Sequence, residues 1–218
     1  MTQNGNLYPT HGLGPVSLCM DIHGGDRFDH LVSMSSCERA LSLARDALPA
    51  GDPRHQETYA CGDVNTTLIK TALGRTIKVE FDIVSPRPYS RINLICGTGG
   101  TFADYPPRMA LQGKEHEWET DLGPYFDNYG HPLWKQQKRQ ALESGGHGGM
   151  DYLMNRRLIQ CLQAGSPLDL TLYDAAAWSS ILPLSVASVA QGSSPVSIPD
   201  FTRGQWQTPR PLLASADT

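Results

Sequence analysis

Thr76-Ile77-Lys78-Val79-Glu80-Phe81-Asp82-Ile83 is the stretch that decides the fold. Polar Thr76, Lys78, Glu80 and Asp82 alternate with apolar Ile77, Val79, Phe81 and Ile83. That period of two predicts a strand with one buried and one wet face. VNTTLIKTA before it and SRINLICG after it carry the same character. Leu73-Gly74 reads as a tight turn and Ser85-Pro86-Arg87-Pro88 as a longer one, so residues 64–97 read as antiparallel neighbours joined by short links. TFADY (101–105) and RMAL (108–111) add candidate strands at an edge, broken by Pro106-Pro107.

Outward from this block the period changes. Upstream, HLVSMSS (30–36) reads as a strand, and Ser35 followed by Glu38 fits a capping box. The helix it opens is expected to reach Leu48, with Cys37, Leu41, Ala44 and Leu48 on one face. Residues 49–55 read as a polar loop. Residues 12–23 read as a short apolar helix or turn. Downstream, 112–132 is polar and aromatic without period, a long surface excursion of the kind that is often functional. Residues 133–144 predict a polar helix. Met150, Leu153, Met154, Leu158, Cys161 and Leu162 form a stripe at helical spacing, ended by Gly165. Residues 171–191 are rich in alanine and leucine, which predicts a buried helix that Pro183 should kink. The tail after Ser193 is extended and Pro-rich. A helix, a block of strands and then helices predict an α+β fold: a mostly antiparallel open sheet with helices on one face. Such sheets commonly pair face to face, so a homodimer is one expectation.

The chain has 218 residues, enough for one sizeable domain, with 39% hydrophobic and 18% charged residues. Its formal net charge of -4 offers nucleic acid no electrostatic footprint. No apolar run approaches a bilayer span, and no charged n-region with an apolar h-region opens the sequence. The five cysteines are far apart and form no CxxC pair, which predicts reduced, mostly buried thiols and suits a cytoplasmic setting.

Few residues could carry chemistry. Tyr8-Pro9-Thr10-His11-Gly12-Leu13-Gly14-Pro15 places a tyrosine and a histidine three apart on what reads as a Pro/Gly-bounded turn. Imidazole can give and take a proton near neutrality, and a nearby phenol can bond a sugar hydroxyl or tune it. Gly12 and Gly14 would let a ligand approach closely. The spacing alone suits a surface turn equally well. Tyr89 sits on the proline-stiffened link between strands, where it could face a pocket or pack on a sheet end. Gly145-Gly146-His147-Gly148-Gly149 precedes a helix, as an anion site or as a flexible helix entry. His23, Asp26 and His30 supply no metal-ligand spacing. Gly97-Thr98-Gly99-Gly100 lies between strands, where a hairpin turn explains it better than a phosphate cradle.

Taken together, YPTHGLGP, SPRPYSRINLICGTGGT, GGHGGMDYLM, YDAAAWSS and PDFTRGQW, in this order, resemble glycoside hydrolase family 109 from Tyr8 to about Trp206. These are NAD-dependent α-N-acetylgalactosaminidases related to the Gfo/Idh/MocA oxidoreductases. The resemblance implies the family's C-terminal, substrate-side domain over 1–218, with its core at 8–206. It also implies a route unlike that of two-carboxylate glycosidases. The sugar C3 hydroxyl is oxidised by NAD⁺, the acidified C2 proton is removed, the aglycone leaves by elimination, water adds back and the hydride returns. By motif, Tyr8, Pro9, Thr10 and His11 form the substrate segment, with His11 as acid/base and Tyr8 as sugar-binding, proton-relaying partner. Tyr89 is the later substrate tyrosine, while His147 has a motif but no role. The family's Rossmann domain, glycine fingerprint and export signal lie ahead of YPTH, and the 218 residues contain none of them. NAD would therefore come from a separate NAD-binding domain, and the partner would be an N-acetylgalactosamine-containing glycan. A sugar-binding module without catalysis, an inactive remnant and a sugar oxidoreductase of the wider family remain open alternatives.

Overall fold

The computed structural model describes residues 2–114 and 116–209. In chain order the elements are α1 (Thr10–Cys19), β1 (Phe28–Ser35), α2 (Ala40–Asp46), β2 (Val64–Thr71), β3 (Thr76–Asp82), β4 (Leu94–Gly97), β5 (Gly100–Ala103), β6 (Arg108–Leu111), α3 (Gly123–Tyr129), α4 (Pro132–Ser144), α5 (Met150–Ala164), α6 (Leu172–Ala190) and β7 (Val196–Ser197). They divide into two compact units. One takes residues up to Tyr89 together with the segment from Leu172, and the other takes 90–171.

The first unit is an α+β layer. Its sheet runs β3-β2-β1-β7, antiparallel throughout. Ile77, Val79 and Phe81 point inward from β3, and the register sets Ile69 against Ile77. Leu31 of β1, Leu13 of α1 and Ile181 of α6 close the same core, so both helices lie on one face. Each such aliphatic side chain contributes about 1.5–3 kcal/mol when fully buried. β7 is too short to cover the length of β1, so the Ser33 N–H has no strand partner on that side. Ser188 of α6 takes it instead, its Oγ accepting at 2.9 Å and donating to the Ser194 carbonyl at 2.7 Å. Ser33, Asn65 and Thr67 complete a buried hydroxyl–amide cluster, with Ser33 Oγ 2.9 Å from Thr67 Oγ1 and Asn65 Nδ2 donating to Ser33 Oγ at 2.9 Å.

The second unit carries its own antiparallel sheet, β4-β5-β6, and the helices α3, α4 and α5. Gly97 pairs with Gly100, so the glycine-rich segment is a hairpin turn. α5 ends at Gly165 in a left-handed C-cap, as its position predicts.

Several expectations change. The strand block is not one sheet. β3 stops at Asp82, and β4 pairs with β5. The Asp82 carboxylate accepts from the N–H groups of Val84 and Ser85 and turns the chain, leaving Ile83 exposed. Pro86 and Pro88 then have no N–H to continue a ladder. The capping box is absent. Glu38 Oε1 accepts from Ser42 N at 2.8 Å, while Asp63, distant in sequence, accepts from Arg39 N and Ala40 N to start α2 at Ala40. The 112–132 excursion contains a helix, α3, begun by Gly123-Pro124. The α5 stripe is largely exposed, with Cys161 its buried member. Of the five free cysteines only Cys61 and Cys161 are buried.

Candidate functional site

The chain is pinned just before the Tyr8 motif. Asn4 Oδ1 accepts from Gly62 N at 3.1 Å. Gly5 passes so close to α6 that a Cβ there would stand 2.8 Å from Ser185 Oγ and from Val186 N, which only glycine allows. Asn6 is fully buried; its N–H donates to Ser185 Oγ at 2.8 Å and its Nδ2 to the Val79 carbonyl at 3.3 Å.

Tyr8 and His11 do not lie on a turn. Pro9 is the N-cap of α1, with φ -76° and ψ -23°, and Thr10 and His11 form the first helical turn. The φ of Pro9 matches the value the proline ring imposes, and the residue has no N–H to leave unpaired at the helix start. Leu13 fixes the helix by filling the core. Tyr8 stands just ahead of the helix, and its ring stacks on that of His11 with centroids 4.7 Å apart at 30°. Tyr8 is 58% exposed and His11 is exposed. Pro15, inside the helix, has no N–H to donate to the His11 carbonyl four residues back. The two glycines behave differently from expectation. Gly12 lies 3.4 Å from Val79 and Gly14 3.7 Å from Trp178, measured from the Cβ each lacks, so they let α1 approach β3 and α6 rather than a ligand.

Tyr89 is 72% exposed on the segment leaving β3. Asp82 organises that segment, accepting from Val84 N at 3.2 Å, from Ser85 N at 3.0 Å and from the Arg87 guanidinium. Burial pushes the Asp82 carboxyl up, but the hydrogen bonds from Ser85, Arg87 and Val84 outweigh it and hold the group at about 2. Both site segments therefore hang on β3, the first at Val79 through Asn6 and the second at Asp82.

The remaining histidines form no common centre. His23 Nδ1 meets Asp174 Oδ1 of α6 at 3.1 Å, with side chains 4% and 2% exposed. His30 pairs with Asp29 at 3.0 Å. Asp26 Oδ1 accepts backbone N–H groups from Arg27 and Leu73. His147, at φ 44°, contacts Asp151 at 3.0 Å before α5. The buried polar anchors Asn6, Ser185 and Ser188 were invisible to periodicity, which assigns polar residues outward. Among the described residues no glycine-rich turn leads from a strand into a helix, and 97–100 joins two strands.

The family model "Glycosyl hydrolase 109, C-terminal domain" matches residues 1–208. A glycosyl hydrolase family 109 protein of Solibacter usitatus is 55% identical over 213 residues, covering 97% of this chain and 49% of its own length. One of Shewanella amazonensis is 54% identical over 215 residues, covering 96% and 47%. The chain thus spans about half the length of the curated relatives it matches. Among solved structures, levoglucosan dehydrogenase in complex with NADH and L-sorbose aligns with TM-score 0.52 at 20% identity, over 80% of this chain and 45% of that one. At that identity the likeness shows the fold alone. The chain belongs to glycosyl hydrolase family 109 and matches that family's C-terminal domain.

Proposed function

We propose that this chain is the substrate-side half of a glycosidase that cleaves α-linked N-acetylgalactosamine by the oxidation, elimination and hydration route described above. The observation that carries the reading is the stacked Tyr8–His11 pair, held rigidly at the start of α1 and open to solvent. An aromatic face and a phenol hydroxyl suit a sugar ring and its hydroxyls, and the imidazole is placed to take and return a proton. Tyr89 is assigned as a second substrate contact. The redox chemistry is assigned to NAD bound to a separate segment, a reading supported by the hairpin role of 97–100, the glycine-rich turn between two strands. Pro9 and Thr10 hold the spacing between the two working side chains.

A homodimer completes the proposal. On the outer face of the sheet Val32 opposes Leu68 and Met34 opposes Thr66, with Leu68 and Met34 exposed. Lys78 and Glu80, 3.0 Å apart, border this apolar centre with both charges, a self-complementary arrangement for a two-fold contact.

The test is reconstitution. The chain is combined with the N-terminal half of a family 109 relative and NAD⁺, then offered a chromogenic α-N-acetylgalactosaminide. Turnover that needs both halves supports the reading. Inactivity of a correctly assembled mixture defeats it, and oxidation of free sugar without glycoside cleavage transfers the site to a sugar oxidoreductase.

A further inference from the structure

α6 runs along the back of α1 as an antiparallel rail. Ser185 holds Asn6 ahead of α1, Trp178 packs on Gly14 in its middle, and Asp174 meets His23 in the loop beyond its end. The three α6 residues lie four and seven apart, so one helix face supplies all of them. The last contact is unlike the others, because it is a hydrogen-bonded imidazole–carboxylate pair with both side chains nearly sealed from water.

The loop that carries His23 is itself rigid. Asp26 N and Gly24 N donate to the Asp21 carbonyl at 3.1 and 2.9 Å, and His23 N donates to the Asp26 carbonyl at 2.7 Å. Arg75 of the β2–β3 turn donates to the Met20 carbonyl at 2.6 Å. His23 occupies φ 64°, a backbone region that residues with a Cβ rarely adopt, although Gly24 and Gly25 stand beside it. A histidine in that position is explained by its side chain, which reaches the first turn of α6. There the carboxylate of Asp174 also suits the positive end of the helix dipole.

We propose that His23 and Asp174 are positioning residues: their bond fixes the far end of α1 against α6 and so sets where His11 is presented. This rests on the reading of His11 as the acid/base group. Neither residue touches substrate in this assignment. α1 has ten residues, about 15 Å of helix, and with Leu13 in the core and Gly14 against Trp178 it links its loop end to its first turn across Pro15. Misplacement of a reacting group by about 1 Å can cost on the order of 100-fold in rate.

Asp174→Ala removes the carboxylate, and Asp174→Asn keeps an oxygen that can accept from the imidazole N–H. Amide exchange is followed residue by residue in this chain. Asp174→Ala is expected to speed exchange across 13–20 at least tenfold relative to the β2 and β3 amides, with Asp174→Asn retaining most of the protection. Unchanged exchange in α1, or equal loss across the sheet, overturns the clamp. In the reconstituted enzyme, Asp174→Ala is expected to lower kcat at least tenfold while KM changes less than about twofold, with Asp174→Asn recovering most of the rate. Unchanged kcat overturns the positioning role. If the wild-type assembly shows no turnover, the reading of His11 fails, and the exchange result alone decides whether the clamp exists.

Discussion

Asp82→Asn separates the charge of one carboxylate from its shape. Asp82 ends β3, its side chain is almost wholly buried, and it accepts from Val84 N, Ser85 N and the Arg87 guanidinium on the way to Tyr89. Its carboxyl is held at about 2, below the ordinary 3.8, because those hydrogen bonds outweigh the burial that raises it. A folded-state value below the unfolded one means that the native chain binds fewer protons between the two, so stability rises with pH there. The depression corresponds to about 2 kcal/mol, fully present above about pH 5 and lost as pH falls through 3.8 towards 2. Arg87 is partly exposed, so solvent screening makes that figure an upper value. The assay is urea unfolding of wild type and variant at intervals from pH 7 to pH 2.5. The account expects a wild-type advantage of about 1–2 kcal/mol at neutral pH that shrinks steadily below pH 5. An advantage that stays constant across the range would refute the argument that ionised Asp82 is what the turn binds.

Other consequences are as concrete. Ser188→Ala strips the partner from the buried Ser33 N–H and from the Ser194 carbonyl, and should cost about 1–3 kcal/mol in urea unfolding, whereas a neutral effect would mean that α6 does not seal β1 there. His11→Ala removes an exposed side chain, so it should leave unfolding within about 0.5 kcal/mol of wild type while abolishing turnover of the reconstituted enzyme; wild-type-like rates would remove the assigned role. Leu68→Glu on the outer sheet face should convert a dimer to a monomer by light scattering without lowering helix content, and an unchanged mass would place any dimer elsewhere.

Much of the fold was written in the local pattern. The alternation at 76–82 gave β3 its inward Ile77, Val79 and Phe81, and the polar helix at 133–144 and the α5 span ending at Gly165 appear as expected. What periodicity could not show is set by distant partners. α2 is started by Asp63, which lies outside any local window. Residues 12–23 read as a helix or a turn; Gly12, Gly14 and Pro15 weaken a helix locally, yet Leu13 in the core and the close approach of Gly12 to Val79 favour one that starts earlier, at Thr10. The division into two sheets follows from Asp82 and two prolines, which read equally well as a turn within one sheet. At the site, the Tyr8-x-x-His11 spacing was legible as a pair, but not that His11 stands in a first helical turn with Tyr8 ahead of it. The anchors behind it, Asn6 with Ser185 and His23 with Asp174, pair residues more than 150 positions apart.

The central claim is that the site works by removing and replacing a sugar C–H proton rather than by direct displacement. Product formed in D₂O by the assembled halves tests it. The account predicts deuterium at C2 of the released N-acetylgalactosamine, incorporated during turnover and lost together with activity in His11→Ala. Cleavage that leaves C2 fully protonated would contradict it.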